Sequence, residues 1–146
     1  MIDERFLYFS KKAESLGIDN TPPDEVRANL SALVEHILEP VMAHFGGQVD
    51  ITSGYRCEAL NQEIGGAGAS QHCTGEAVDF GIIDTDIYDI ACFIRDNLTF
   101  DQLIMENRNP GDFNKGWVHV SYCRHGDNRG QVQTYRDGEY VDGLVK

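Results

Sequence analysis

Positive charge is scarce in this chain: 12 Lys and Arg stand against 24 Asp and Glu, a net charge of −12 at pH 7. Non-specific nucleic-acid binding runs on clustered basic side chains, so nucleic acid is not an expected partner. The acidity is also awkward for approaching an anionic polymer, and it reads most simply as a device for solubility. Long apolar runs are missing as well. None approaches the ~20 residues of a membrane span, so no membrane partner is expected. The start of the chain, Met1-Ile2-Asp3-Glu4-Arg5-Phe6, has no basic segment followed by an apolar stretch, the pattern of a secretory signal. The four cysteines, Cys57, Cys73, Cys92 and Cys123, include no C-x-x-C pair. They are expected to be reduced thiols in a protein made in the cytoplasm rather than a disulfide framework. The glycine-rich run at 65–70 has no Lys-Ser/Thr after it, which excludes a phosphate loop. No internal repeat or low-complexity segment is present.

What remains is an ordinary globular composition. With 146 residues, 41% of them hydrophobic and 10% aromatic, the chain can bury a real core, and a single domain over residues 1–146 is expected. Residues 1–19 form a short amphipathic stretch ending at Gly17. Asn20-Thr21-Pro22-Pro23-Asp24 reads as a helix start with Thr21 as N-cap. Leu30, Leu33, Val34, Ile37, Leu38, Val41, Met42 and Phe45 then recur at helical spacing. Pro40 should kink or divide that helix, and Gly46-Gly47 should end it. His36 and His44 fall on its flanks rather than among candidate ligands. Strands are expected at 48–53, 76–80, 102–106 and 117–123, a short helix at 57–64, and a helix from an Asp84 cap to about Leu98. A hairpin closes the chain, with strands 131–135 and 140–141 around Arg136-Asp137-Gly138-Glu139. Helices first, then strands around one helix, imply an α+β domain: a small, mainly antiparallel sheet with N-terminal helices packed on it.

The chemistry concentrates in two segments. Ser70-Gln71-His72-Cys73-Thr74-Gly75-Glu76-Ala77-Val78-Asp79-Phe80 is answered about forty residues later by Trp117-Val118-His119-Val120-Ser121. Two imidazoles and a carboxylate suit zinc, and three protein ligands leave a fourth position for water, as in hydrolytic rather than structural sites. The odd spacing of His72 and Asp79 cannot put both on one face of a straight strand. A turn must intervene, and Thr74-Gly75 supplies it, with His72 on a loop and Asp79 on the following strand. In 117–122, Trp117, His119 and Ser121 share one face while Val118, Val120 and Tyr122 share the other. The valines fit a core, which turns His119 toward a cleft. Cys73 neighbours His72, but adjacent residues rarely chelate one ion comfortably, so no cysteine is taken as a ligand.

These segments, with Ser53-Gly54-Tyr55-Arg56 and Asp101-Gln102-Leu103-Ile104-x-Glu106, resemble the zinc D-alanyl-D-alanine carboxypeptidases of peptidase family M15. The closer likeness is to small phage and bacterial members, and it covers roughly residues 5–123. The resemblance implies a Hedgehog/DD-peptidase-like fold, one zinc ion per chain on His72, Asp79 and His119, and hydrolysis of peptide bonds in peptidoglycan stem peptides. It implies that Arg56 binds substrate and stabilises the oxygen of the attacked carbonyl; the alternative for Arg56 is a structural salt bridge. Ser70 and Gln71 would bind substrate or shape the loop, and Trp117 would form an aromatic wall beside the site. Tyr55 is expected to pack, and Asp101 to orient a loop.

A hydrolase of this kind also needs a group to take the proton of water and return it to the leaving amine. In several relatives that acid/base stands three residues before the last histidine, where this chain has Gly116. Glu106 is the candidate in its place, with Glu76 the weaker alternative because it falls on the opposite face from Asp79. A second reading follows from Gly116: a non-catalytic metal-binding module that keeps the fold, such as a virion or tail component. A third, a binding domain without metal, requires the His-Asp-His pattern to be accidental. A wall-cutting monomer without a signal would reach its substrate by phage lysis or on a virion.

Overall fold

A computed structural model describes residues 2–68 and 70–146. Met1, and Ala69 of the loop expected at 65–70, lie outside the described residues. The architecture is α+β, as the element order implied. After a 3₁₀ turn at Glu4–Leu7 come α1 (Lys11–Leu16), α2 (Asp24–Leu33), α3 (Glu39–Phe45), β1 (Val49–Ser53) and α4 (Glu58–Glu63). A second 3₁₀ turn, Gln71–Thr74, leads into β2 (Ala77–Ile82), α5 (Ile87–Asn97), β3 (Gln102–Glu106), β4 (Trp117–Ser121), β5 (Gln131–Arg136) and β6 (Glu139–Asp142). The six strands form one sheet in the order β1-β2-β4-β3-β5-β6. Every pairing is antiparallel except β3 with β5.

One face of this sheet is the core. Val78, Phe80, Leu103, Met105, Val118 and Val120 pack with Leu30, Leu33, Ile37, Leu38 and Val41 of the N-terminal helical segment and Ile87, Ile90 and Ile94 of α5. Period-two alternation puts the intervening residues on the other face. The hydrophobic effect that seats the helices therefore also fixes which side chains look outward.

The helical boundaries depart from expectation in two places. Thr21 does not cap α2; Pro23 occupies the cap position and offers no side-chain bond. Consecutive prolines bias the residues before them to extended conformations, so the helix starts only at Asp24, and the Thr21 amide is bonded by Asp19 instead. Asp84 does not cap α5. It sits at φ 59° in a turn tied to Asn114, while Asp86 accepts the Tyr88 amide as the cap. Pro40 does divide its helix: a π turn at Val34–Leu38 separates α2 from α3. A proline lacks the donor and crowds the carbonyl one turn back, and a wider turn relieves both faults. No helix among the described residues is long and apolar enough to cross a membrane.

Candidate functional site

The outward face of the sheet and the loops beside β1 and β2 enclose a cleft lined by Arg56, Ser70, Gln71, His72, Asp79, Gln102, Ile104, Glu106, Trp117, His119, Arg129 and Tyr140. Its position follows from the strand registers. Asp79 on β2 pairs with His119 on β4, and Trp117 on β4 pairs with Glu106 on β3. Since Val118 and Val120 are fully buried in the core, Trp117 and His119 face the cleft.

His72 enters from the 3₁₀ turn, and the reversal that follows is set by Gly75 at φ 76°. A Cβ there would lie 2.7 Å from a Val26 methyl and 2.9 Å from the Val26 carbonyl oxygen. Only glycine fits both the backbone conformation and the close approach to α2. Ser70 caps the turn by accepting the His72 amide at 3.2 Å. The imidazole is almost fully buried, and its Nδ1 stands 2.8 Å from the Gly54 carbonyl oxygen. A carbonyl can only accept, so Nδ1 carries the proton and Nε2 is directed at Asp79, 3.4 Å from Oδ2. His119 Nδ1 stands 2.8 Å from Asp79 Oδ1. One ligand atom from each of His72, Asp79 and His119 can be chosen so that all lie within 4.8 Å of one another.

The three side chains are only 4%, 15% and 13% exposed, so a carboxylate among them must be compensated. Burial pushes the Asp79 carboxyl up, but the hydrogen bond from His119 and the pull of the two imidazoles outweigh it and hold the group at about 2. Asp79 is therefore an anion between two imidazoles. Two nitrogens and one oxygen of borderline-to-hard character, close together and partly shielded, are a donor set that fits zinc.

Glu106 lies across the cleft. Burial is the larger influence raising its carboxyl, the neighbouring Asp79 charge the next. The Trp117 indole N–H donates to Oε2 at 2.8 Å, so Trp117 is a positioning partner as well as a wall. Glu76 lines a separate depression with Cys73 and Cys123. Gly116 is at φ 76°, and a Cβ there would come within 2.6 Å of the Glu106 and Asn107 carbonyl oxygens. The backbone of this turn has no room for an acidic side chain at that position.

Arg56 donates from Nη2 to the Ser70 hydroxyl at 3.3 Å, while its Nε is buried with no partner among the described residues. Gln71 donates to Asp101, which also takes a two-pronged bond from Arg129. Gln71 thus braces the loop while lining the cleft, and Asp101 orients neighbouring segments. Tyr55 is packed in the core. All four cysteines are free thiols. Cys73 lines the depression that holds Glu76 and Cys123 rather than the cleft, and it is not in the His72-Asp79-His119 group. Gly54 and Gln102 carried no expected role, and Arg129 and Tyr140 were not singled out in the sequence. Gly54 acts through its carbonyl, which no side-chain pattern announces; Gln102 alternates with Ile104 on the cleft face of β3, and Arg129 and Tyr140 reach the cleft because the β5–β6 pair docks on β3.

A comparison with curated protein sequences gave no match. A family model described as peptidase M15 matches residues 4–121, most of the chain and all of the segments that build the His-Asp-His cluster. The chain belongs to the peptidase M15 family.

Proposed function

We propose that this protein is a zinc metallopeptidase that hydrolyses peptide bonds in peptidoglycan stem peptides, as a D-Ala-D-Ala carboxypeptidase or a murein endopeptidase. The observation that carries the reading is the convergence of His72, Asp79 and His119 in a cleft that also holds a buried carboxylate and an arginine. Zinc, when bound by these three residues, supplies polarisation of the scissile carbonyl and a water of lowered pKa. The Gly54 carbonyl fixes the His72 tautomer that this requires. Glu106 accepts the water proton and returns it to the departing amine. Its raised carboxyl suits that exchange, and Trp117 holds one of its oxygens so that the other can move the proton. Arg56 takes an oxygen or carboxylate of the substrate. Arg56 lines the cleft beside the three candidate ligands, which puts its guanidinium within reach of a substrate acceptor. Ser70 orients that guanidinium. The protein acts as a monomer and reaches the wall by phage lysis or on a virion.

Gly116 favours one other reading, a metal-binding module that keeps the fold without turnover. Mass spectrometry of purified muropeptides incubated with zinc-loaded protein separates the two. Loss of terminal D-alanine marks a carboxypeptidase, an internal cut marks an endopeptidase, and unchanged muropeptides would leave the binding module.

A further inference from the structure

The matched family region ends at Ser121, yet the sheet continues for two more strands. Their registers extend the cleft face. Glu106 on β3 pairs with Tyr135 on β5, and Tyr135 pairs with Tyr140 on β6. Paired residues share a face, so Trp117, Glu106, Tyr135 and Tyr140 form one row across four strands on the side that carries His119. The turn that returns β6 is built for this, with Asp137 and Gly138 at φ 53° and 78°, both positive as a tight hairpin requires. Tyr140 lines the cleft although the residue is 59% exposed, and its ring lies 4.7 Å from the Tyr135 ring. A large aromatic left this open at the rim of a polar cleft has free surface to give to a ligand. Its phenol hydroxyl carries its proton at neutral pH and can donate a hydrogen bond.

We infer that the C-terminal hairpin is part of the substrate cleft, and that Tyr140 is a specificity residue that packs against the peptide at a distance from the scissile bond. The inference rests on the peptidase reading for the identity of the ligand. Three strand spacings separate β4 from β6, roughly 14 Å at ~4.8 Å each. A dipeptide spans about 7 Å at most. Tyr140 therefore discriminates long stem peptides from the bare D-Ala-D-Ala end.

The test titrates zinc-loaded protein with a stem pentapeptide and with D-Ala-D-Ala. Cleavage is followed by mass spectrometry, and binding by the fluorescence of Trp117, the only tryptophan. Tyr140→Ala should raise KM and Kd for the pentapeptide about 3- to 10-fold, the range expected for one aromatic contact, with kcat and the dipeptide little changed. Val141→Ala, on the opposite face of β6, should leave both peptides unaffected. Tyr140→Phe separates ring from hydroxyl. Pentapeptide cleavage with an unaltered KM in Tyr140→Ala would overturn the inference and leave the peptidase reading intact. An equal effect in Val141→Ala would also overturn it, because hairpin stability would then be the cause. Binding without cleavage, weakened in Tyr140→Ala, would support the inference and remove the peptidase reading. Neither binding nor cleavage by the parent protein would contradict both.

Discussion

Glu106 and Gly116 are coupled at the scale of single residues. The turn that leads into β4 needs a residue with positive φ and no side chain where it passes the Glu106 and Asn107 carbonyls. A carboxylate at 116 is thus barred by backbone geometry, and Glu106 on the adjoining strand is the acid that remains beside Asp79 and His119. Glu106→Gln keeps the shape and removes the basicity. Turnover on a muropeptide should fall ~10²–10⁴-fold, the usual contribution of positioned proton transfer, with zinc content unchanged. Near-full activity in that variant would transfer the role to another group. Gly116→Ala should cost about 1–3 kcal/mol of folding stability, from a non-glycine residue forced to positive φ against backbone oxygens. Denaturant unfolding measures it, and an unchanged midpoint would mean that the turn can relax. Much of this was legible in the sequence. The alternation in Trp117–Ser121 already turns His119 away from its valine neighbours, and Thr74-Gly75 already demands a reversal between His72 and Asp79. The tightness at Gly116 was not, because it arises from contact with Glu106 and Asn107 across the β3–β4 connection.

Between elements, side chains decide what local propensity leaves open. Asp84 and Asp86 are equally eligible as caps by residue type. Asn114 from the β3–β4 connection engages the first, and the Arg108 guanidinium, 2.6–2.8 Å away, pairs with the second while it caps α5. No window of sequence around 84–86 contains those partners, so the cap was misplaced by two residues. Asp101 performs a similar service where β3 and β5 begin. It accepts the Arg129 amide and guanidinium and the Gln71 side chain, tying the parallel pair to the turn that carries His72. The Arg129 hydrogen bonds hold its carboxyl well below the usual range against the opposing effect of burial. A carboxyl depressed in the folded state stabilises at pH values above its unfolded pKa of about 3.9 and loses that contribution as pH falls below it. Asp101→Asn should therefore lower stability by about 1–3 kcal/mol at neutral pH. The difference from the parent protein should shrink as acid unfolding is followed below about pH 4. A gap that stays constant down to pH 2 would show that charge is not the cause.

At the scale of the whole molecule, one sheet serves two purposes. Its helix-covered face supplies the core, and its open face aligns residues from β2, β3, β4 and β6 into a cleft. The antiparallel part was legible from helices preceding alternating strands. The parallel docking of β5 on β3 was not, because hairpin chemistry at Asp137-Gly138 fixes how β5 meets β6 but not where the pair attaches. The central claim is that three residues drawn from a 3₁₀ turn and two strands form a zinc centre free of thiolate. Elemental analysis of protein purified without added metal, made on the parent chain beside His119→Ala and Cys73→Ser, tests it most directly. About one zinc per chain is expected in the parent and in Cys73→Ser. His119→Ala should lose the metal, since two ligands hold zinc far more weakly than three. A parent chain without zinc that added zinc cannot load, or a Cys73→Ser variant that loses its zinc, would contradict the account.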